Sequence, residues 1–300
     1  MDWLDRMKLS MDYIENNLSG NIDYNQAAQF ACCSTYHYQR MFSFIIGIPL
    51  SEYIRRRRLT LAAFDLQEHD VTVTDTAIKY GYDSIEAFTR AFKKQHNVVP
   101  SAVRNQGIIL TAYPRISFHI SIKGDVEMKF KIEQKEAFKV FGVSRKFRRD
   151  GDYKKAIGAF WGEVCDGSAF GQIEAIANAE ANDERTLALI YHGDNGEVFM
   201  DDGETTNYLI GAFKTEGMDT KDFYETAVPA ATWAVFPTEE AEWGNGMIAK
   251  YIQETFARVF SEWFPTSDYE HAELPELEVY IPNGKGGEHV EIWIPVRRKA

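Results

Sequence analysis

The sequence has few of the features that mark a membrane, secreted or disulfide-bonded protein. Its 300 residues include no run of about 18 uncharged apolar residues, the length that a membrane-spanning helix needs. The N-terminus lacks the basic and then apolar pattern of a secretion signal. Of three cysteines, Cys32 and Cys33 are adjacent, a poor geometry for a mutual disulfide, and Cys165 stands alone. We therefore expect a cytoplasmic protein with reduced thiols and no membrane partner.

The sequence also lacks the usual signatures of metal binding and catalysis. His119, His192, His271 and His289 are scattered, and neither a Cys-x-x-Cys nor a His-x-x-x-His spacing occurs. The glycine-rich stretch 284–287 has no strand and helix beside it to form a phosphate loop, so a hairpin turn is the better interpretation. With no nucleophile elbow and no nucleotide-binding fold, we predict no catalytic residue, no metal, no cofactor and no enzymatic activity.

Length and charge divide the chain into two parts. Three hundred residues with 45% apolar side chains are about twice what one domain needs, so two globular domains are expected. Residues 1–107 hold 12 basic and 12 acidic residues, which leaves 33 − 12 = 21 basic and 45 − 12 = 33 acidic residues for 108–300. The second part therefore carries the whole net charge of −12. Because an acidic domain repels phosphate, any contact with nucleic acid is expected to be made by the first part.

Apolar periodicity predicts a helical first half and a mixed second half. Helices are predicted near 3–18, 24–31, 35–46, 51–67, 74–80, 85–95, 101–104, 153–165 and 245–264. Strands are predicted near 116–122, 128–132, 138–143, 187–192, 207–213, 224–228, 231–237, 277–282 and 289–297. Two batches of strands, each with one long helix, predict a duplicated α+β unit, since the strands cluster instead of alternating with helices.

The first half contains an internal repeat with an offset of fifty residues. The matched pairs are Ala27 with Ala77, Ser34 with Ser84, Tyr38 with Phe88, Arg40 with Arg90 and Phe42 with Phe92. In each copy a short helix with small residues meets a turn, and a serine stands where it can cap the next helix. This arrangement is typical of a helix-turn-helix unit.

The repeated aromatic residues are four apart and are predicted to face the core. In the first copy this leaves Thr35, Tyr36, Gln39, Arg40 and Ser43 on the opposite face, suited either to base edges in a major groove or to solvent alone. Two such helices on one scaffold can enter successive major grooves, about 34 Å apart. Between the copies, the run Arg55–Arg58 can contact phosphates, pair with acidic neighbours or be a solvated charge run.

These residues resemble the AraC/XylS-type DNA-binding domain over about residues 5–106. The similarity lies in Tyr38-Gln-Arg-Met-Phe42 after Ser34, in Tyr53-Ile-x-x-x-Arg-Leu59, in Ala77-x-x-x-Gly-Tyr-x-Ser-x-x-x-Phe-x-Arg-x-Phe-Lys-Lys94, and in Pro100 and Arg104. The resemblance implies seven helices, two helix-turn-helix units joined by a linker helix, and transcription regulation on double-stranded DNA. RNA polymerase is a further candidate partner, for the acidic second half. The resemblance also implies that the first recognition helix reads DNA through Thr35, Tyr36, Gln39 and Arg40, and the second through Ile85, Glu86, Thr89 and Arg90. Asn97 stands where the family usually has glycine, which is tolerable because asparagine accepts left-handed backbone angles.

The last predicted strand places Glu291 and Trp293 on one face, opposite Val290 and Ile292. Pairing with the strand at 277–282 across a turn at 283–287 is expected to bring Tyr280 near Glu291. A carboxylate beside aromatic faces suits an organic cation, with cation–π contacts of roughly 0.5–2 kcal/mol each. The alternative is an exposed sheet face on which Trp293 covers a seam.

The second half resembles the GyrI-like effector-binding domain of Rob-type regulators over about residues 125–298. The similarity lies in Tyr153-x-x-Ala-Ile-x-x-Phe-Trp161, Tyr208-Leu-Ile-Gly-Ala212, Pro229-Ala-Ala-Thr-Trp-Ala-Val-Phe-Pro237, Trp263-Phe-Pro265 and Glu291-Ile-Trp-Ile-Pro-Val296. The resemblance implies two strand–helix–strand–strand modules about a pseudo-twofold axis and a ligand site in the central groove. It implies that the acidic residue of the site is Glu291 and that Trp161, Tyr208, Trp233, Tyr280 and Trp293 provide the aromatic lining.

Together these observations predict a multidomain protein. Residues 1–107 form an all-α double helix-turn-helix DNA-binding domain, 108–124 a linker, and 125–300 an α+β GyrI-like effector-binding domain. The predicted function is a DNA-binding transcription regulator that binds a small cationic or amphipathic effector. Two alternatives stay open: a small-molecule hydrolase in which Glu291 activates water, and a module that binds a partner protein.

Overall fold

A computed structural model describes residues 3–68, 71–104, 108–117, 127–148, 153–181, 183–192 and 205–299. The chain forms two compact units, which separate near residue 122. Within the described ranges no helix is long and apolar enough to cross a membrane, and no group of histidine, cysteine, aspartate and glutamate side chains could hold a metal ion. The predicted linker bounds fall on or beside residues outside these ranges and stay a prediction.

The first unit is helical, as predicted. Its helices are α1 (Trp3–Asn16), α2 (Tyr24–Phe30), α3 (Thr35–Ile46), α4 (Leu50–Glu68), α5 (Val73–Lys79) and α6 (Ile85–His96). The predicted helix at 101–104 is a single 3-10 turn, Pro100–Ala102. Helix α4 joins the two copies of the repeat, so the double helix-turn-helix arrangement is confirmed.

The two copies agree closely, with one residue added in the second. Helices α2 and α5 both have seven residues and lie 49 positions apart, whereas α3 and α6 both have twelve and lie 50 apart. The turns that follow α2 and α5 are also 49 positions apart, because Cys33 N–H donates to Ala28 O in the first copy and Tyr82 N–H donates to Ala77 O in the second. Asp83 is therefore an extra residue between the turn and the second recognition helix.

Each recognition helix begins at the predicted serine cap. Ser34 Oγ accepts from His37 N–H at 3.2 Å, and Ser84 Oγ accepts from Ala87 N–H at 3.1 Å. The turn before each helix contains a residue with left-handed backbone angles, Cys32 at φ 55° and Gly81 at φ 78°. The repeated aromatic side chains that follow are fully buried, as predicted: Tyr38, Phe42, Phe88 and Phe92.

The second unit is built on one antiparallel sheet. Among the described residues its strands are β1 (Lys131–Lys135), β2 (Phe138–Arg148), β3 (Thr186–Tyr191), β4 (Thr205–Lys214), β5 (Tyr224–Val228), β6 (Ala231–Pro237), β7 (Ala241–Glu242), β8 (Tyr269–His271), β9 (Glu276–Pro282) and β10 (Gly287–Arg298). Its helices are α7 (Tyr153–Asp166), α8 (Ser168–Ala181) and α9 (Met247–Arg258), and α9 continues through a π-helical turn, Val259–Trp263, into a short α-helical turn, Phe264–Thr266.

The strand order shows the duplication. The order β1-β6-β10-β9-β3-β4-β2-β5 is symmetric about the pair β9 and β3, with β7 and β8 added at β10. One module is β2, α7 with α8, β3 and β4; the other is β6, α9, β9 and β10. The predicted pair of strand–helix–strand–strand modules is therefore confirmed, and the antiparallel pairing of β3 with β9 joins them.

The helices pack on one face of the sheet, here called the helix face. Phe147 of β2 contacts Phe160 of α7, and Phe236 of β6 contacts Trp263 beyond α9, with ring centroids 5.6 and 5.1 Å apart. The ladder links facing residues of the helix face in one row: Val143, Ile210, Ala188, Glu278, Ile292 and Phe236. Glu278 is thus a carboxylate in the middle of an otherwise apolar row.

Several elements differ from the sequence prediction. Helix α8 and the short strands β7 and β8 were not predicted, because α8 follows α7 after the single break at Gly167 and the two strands have only two and three residues. The strand expected at 116–122 is absent at its described residues, 116 and 117, and the rest lies outside the described ranges.

The close contact of β2 with β4 generates a test of the sheet. Gly142 faces Gly211, and a Cβ on Gly211 would lie 1.9 Å from Phe141 O. We expect Gly211→Ala to lower the free energy of unfolding of the second unit by about 1–3 kcal/mol, because backbone must move to admit the methyl group. Gly158→Ala is the control, since nothing lies within 4 Å of a Cβ in that exposed helical position. Scanning calorimetry measures both, and equal transition temperatures would contradict the contact.

Candidate DNA-binding and effector sites

Helix α3 carries the side chains predicted for the first recognition helix. Thr35 is half-buried, and its hydroxyl donates to Asn25 Oδ1 at 2.5 Å. Arg40 is half-buried as well, but Gln39 is only 9% exposed, which corrects the prediction of an outward position. Since each residue turns an α-helix by about 100°, Gln39 lies on the flank of the face that carries Tyr38. The side chain of Tyr36 lies outside the described part of the structure.

Helix α6 presents its predicted residues more openly. Ile85, Glu86 and Arg90 are exposed, and Thr89 is half-buried. The helix ends at Asn97, whose left-handed φ of 61° confirms the backbone conformation expected for this position, and its N–H donates to Lys93 O. An isoleucine, a carboxylate, a hydroxyl and a guanidinium thus share one accessible face of α6.

The arginine run in α4 is engaged inside the helical unit. Arg55 donates to both oxygens of Glu52 at 2.7 and 2.8 Å, and Arg56 Nε donates to Glu52 at 2.5 Å. Although burial opposes the shift, these hydrogen bonds hold the pKa of Glu52 below its usual value. Arg58 instead donates to the carbonyl oxygens of Leu18 and Gly20 at 2.9 and 2.6 Å.

Arg57 forms the ion pair that joins α4 to α1. Its Nε and Nη2 donate to the two oxygens of Glu15 at 2.9 and 2.8 Å, and the Tyr53 hydroxyl donates to Glu15 at 2.5 Å. The side chains of Arg57 and Glu15 are only 10% and 9% exposed. The hydrogen bonds with Glu15 raise the pKa of Arg57, so the guanidinium stays charged. For Arg55, Arg56 and Arg57, pairing with acidic neighbours is thus the interpretation that the structure supports.

The described part of the predicted linker, 108–117, lies along α4. Arg57 Nη1 donates to Tyr113 O at 2.7 Å, and Tyr113 N–H donates to Thr60 Oγ1 at 3.1 Å. The guanidinium of Arg56 lies 4.8 Å from the centre of the Tyr113 ring, and Ile116 N–H donates to the hydroxyl of Tyr53. The linker thus shares its anchoring residues with the α1–α4 ion pair.

The contribution of the Arg57–Glu15 pair to the stability of the helical unit can be tested. We expect Arg57→Ala to lower its free energy of unfolding by about 3–5 kcal/mol, because it leaves the carboxylate of Glu15 buried beside Tyr53 with no cation. Lys94→Ala, on the exposed surface of α6, is the control and is expected to change the free energy by less than about 0.5 kcal/mol. Urea unfolding followed by circular dichroism measures both, and similar midpoints would contradict a structural role of the pair.

The six side chains predicted for effector binding fall on opposite faces of the sheet. In the β9–β10 ladder Tyr280 faces Val290, and Glu291 faces Val279. Facing residues share a face of the sheet, so Tyr280 and Glu291 point to opposite sides. The prediction that pairing brings them together is wrong, because a shift of one residue in register moves a side chain to the other face. Trp161, Tyr208 and Tyr280 belong to one group, and Trp233, Glu291 and Trp293 to another.

The first group surrounds a carboxylate that the sequence analysis missed. Glu278, only 8% exposed, accepts from the hydroxyls of Tyr208 and Tyr280 at 2.8 and 3.1 Å. Trp161 Nε1 of α7 donates to the Tyr208 hydroxyl at 3.0 Å, and its ring centroid lies 5.1 Å from that of Tyr280. We call Trp161, Tyr208, Glu278 and Tyr280 the Glu278 cluster.

Burial and the charge of Glu278 raise the pKa of Tyr280 well above its usual value. Its phenol therefore stays protonated and continues to donate to the carboxylate. The sequence did contain one signal for this site. Glu276 and Glu278 alternate with apolar residues in a strand, which places carboxylates on one face, but only the strand order shows that this strand is central.

The second group lies on the face opposite the helices and already contains cations of the protein. Trp293 Nε1 donates to Glu291 at 2.9 Å, and Lys131 Nζ lies 3.1 Å from the other carboxylate oxygen. Lys135 Nζ lies 4.3 Å from the centre of the Trp293 ring, and the Trp233 ring packs 6.1 Å from that of Trp293. We call Trp233, Glu291 and Trp293 the Glu291 cluster.

Comparison with known families accounts for both units. The model of the GyrI-like small molecule binding domain matches residues 128–297. This chain belongs to the GyrI-like family. A helix-turn-helix domain model matches residues 27–106, upstream of the GyrI-like domain. The identification of an AraC-type DNA-binding domain followed by a GyrI-like domain is thereby confirmed.

Three curated relatives each match about a third of this chain. The chain is 41% identical over 92 residues to the HTH-type transcriptional activator AarP of Providencia stuartii, covering 31% of this chain and 68% of AarP. It is 39% identical over 99 residues to the probable transcription factor PqrA of Proteus vulgaris, covering 32% and 81%. It is 37% identical over 92 residues to the transcriptional regulator Rob of Salmonella typhimurium, covering 31% and 32%. The protein is a DNA-binding transcription regulator with a GyrI-like small-molecule-binding domain.

Proposed function

We propose that the GyrI-like domain of this regulator binds a lipophilic organic cation at the Glu278 cluster. The observation that supports this proposal is a carboxylate on the central strand β9 that accepts from two phenols, one of which accepts in turn from an indole. A carboxylate supplies charge attraction, and aromatic faces supply cation–π contacts that strengthen when water is excluded. Trp161 is half-buried, so the Glu278 cluster reaches solvent at this indole.

The Glu291 cluster is the competing position, and it was the one favoured from sequence. There Lys131 and Lys135 already occupy the two places that a cationic ligand would take, beside the carboxylate and over the indole. A ligand would have to displace both ammonium groups, which lowers the gain from binding. The ligand-binding role of Glu291, Trp293 and Trp233 stays a prediction that the experiment below separates from that of Glu278.

The DNA-reading residues form the second part of the proposal. Arg90 is exposed on α6 beside Glu86, and Arg40 occupies the matching position of α3. An arginine at such a position can donate two hydrogen bonds to guanine, whereas a carboxylate can accept from the amino group of cytosine. We therefore assign base reading to both helices, with Arg90 as the more accessible arginine. RNA polymerase as a partner stays a prediction.

Replacement of Arg90 tests the reading of DNA. On the duplex that the wild-type protein selects from random sequences, Arg90→Ala is expected to cost about 1–3 kcal/mol of binding free energy and to relax sequence preference at one position. Lys94→Ala, at an exposed position of the same helix, is expected to weaken selected and random duplexes alike. Gel-shift titration at fixed salt measures both, and an unchanged preference in Arg90→Ala would exclude base reading by this residue.

Replacement of Glu278 tests the effector site. We expect Glu278→Gln to weaken the binding of tetraphenylphosphonium about tenfold or more, equivalent to about 1.4 kcal/mol, while DNA binding is retained. Glu291→Gln is the matched control and is expected to change the affinity less than threefold, or about 0.6 kcal/mol. Calorimetric titration measures both variants. A loss in Glu291→Gln without a loss in Glu278→Gln would move the site to the Glu291 cluster.

Incubation of the protein with electrophilic candidate ligands that contain a hydrolysable bond separates sensing from hydrolysis, the enzymatic alternative. If the domain is a sensor, mass spectrometry recovers the ligand unchanged after long incubation. A product that forms with the wild type and not with Glu278→Gln would instead identify Glu278 as a general base.

A further inference from the structure

Glu288 is a further carboxylate on the helix face, in addition to Glu276 and Glu278, and the proposed function does not use it. In the β9–β10 ladder Glu288 faces Pro282, and Val290 faces Tyr280. Because alternate residues of a strand share a face, Glu278, Tyr280 and Pro282 lie on one side of β9, and Glu288 lies on the same side of β10. Tyr280 therefore stands between the two carboxyl-bearing positions.

The strand geometry sets the distance between these positions. Glu278 and Pro282 are four residues apart, which corresponds to about 13 Å along the strand, and Glu288 lies on the neighbouring strand about 5 Å to the side. The separation of the backbone positions is thus about 14 Å. The charges of both Glu278 and Glu288 act on Tyr280, in agreement with its place between them.

Each carboxylate has an indole beside it. Trp161 lies at the Glu278 end, where it donates to Tyr208, and the indole of Trp243, which is 59% exposed, lies near Glu288 and opposes the effect of burial on the pKa of that carboxyl. Cys165, one helical turn beyond Trp161 in α7, is close enough to Glu288 for that carboxylate to help burial raise the pKa of the thiol. Helix α7 therefore runs beside the line from Glu278 to Glu288.

Few contacts of Glu288 compensate for the loss of hydration of its carboxylate. Burial raises its pKa, and the opposing influence found for it among the described residues comes from the neutral indole of Trp243. A half-buried carboxylate in this situation gains most from a cation, because the cation restores the charge compensation that water supplied. The matched small-molecule domain spans both carboxylates.

We infer that the helix face of the GyrI-like domain takes an elongated dication, with one charge at Glu278, the other at Glu288 and an apolar spacer along Tyr280. The inference rests on the proposed function, because it extends the Glu278 site to a second charge. The chemical class is a pair of quaternary or protonated amines joined by a chain of about 14 Å, the separation of the two backbone positions.

The test compares two probes on the full chain by calorimetric titration. Decamethonium carries two trimethylammonium groups at the ends of a long alkyl chain, and decyltrimethylammonium has the same chain with one. We expect wild-type protein to bind decamethonium at least about tenfold more tightly, the factor that one further charged contact of about 1.4 kcal/mol provides. Glu288→Gln is expected to abolish that preference and to leave the affinity for decyltrimethylammonium unchanged.

Two further variants make the outcomes distinct. Glu278→Gln is expected to weaken the binding of both probes. Glu239→Gln removes an exposed carboxylate elsewhere and is expected to leave the binding of both unchanged. The dication inference is overturned, and the proposed function stands, if three results coincide. Both probes bind with equal affinity, Glu278→Gln weakens the binding of both, and Glu288→Gln changes the affinity for neither. If neither probe binds the wild type, both are overturned. Circular dichroism confirms that each variant is folded.

Discussion

The antiparallel pairing of β3 with β9 is the constraint on which the effector domain depends. It joins the two modules into one sheet and makes β9 a strand with partners on both sides. A carboxylate on such a strand loses water and must find hydrogen bonds within the protein. Tyr208 comes from one module and Tyr280 from the other, so both halves of the duplication contribute to the environment of Glu278.

A comparable constraint acts in the DNA-binding unit, where α4 is tied to α1 by a buried ion pair. Four consecutive arginines in a linker helix suggest a phosphate-binding surface, but their guanidinium groups contact Glu52, Glu15 and the carbonyl oxygens that follow α1. The arginines thus stabilise the packing of the linker helix α4, which joins the two helix-turn-helix copies. The segment 108–117, which follows the second copy of the repeat, is held by the same ion pair, since the carbonyl oxygen of Tyr113 accepts from Arg57.

Much of the fold is readable from sequence because its signals are local. Serine caps, paired aromatic residues and the bounds of β5 and β6 depend on neighbours a few positions away, and they were predicted correctly. The composition of the effector site depends on register and strand order, which no local pattern contains. Alternation places Glu291 and Trp293 on one face correctly, but the hairpin loop decides that Val279, not Tyr280, stands opposite Glu291. Glu278 could not be predicted as a site residue because only the strand order makes β9 a central strand.

The residue added before α6 has a consequence for the DNA itself. Asp83 lengthens the link between the turn and the helix in the second copy, so the two recognition helices leave their turns at different points. Their outward faces also differ in chemistry, with Thr35 and Arg40 on one and Ile85, Glu86 and Arg90 on the other. If both helices read bases, as proposed above, an operator built of two identical repeats would match only one of them. The promoter element that this chain prefers should be asymmetric, and it should impose a single direction on the bound protein.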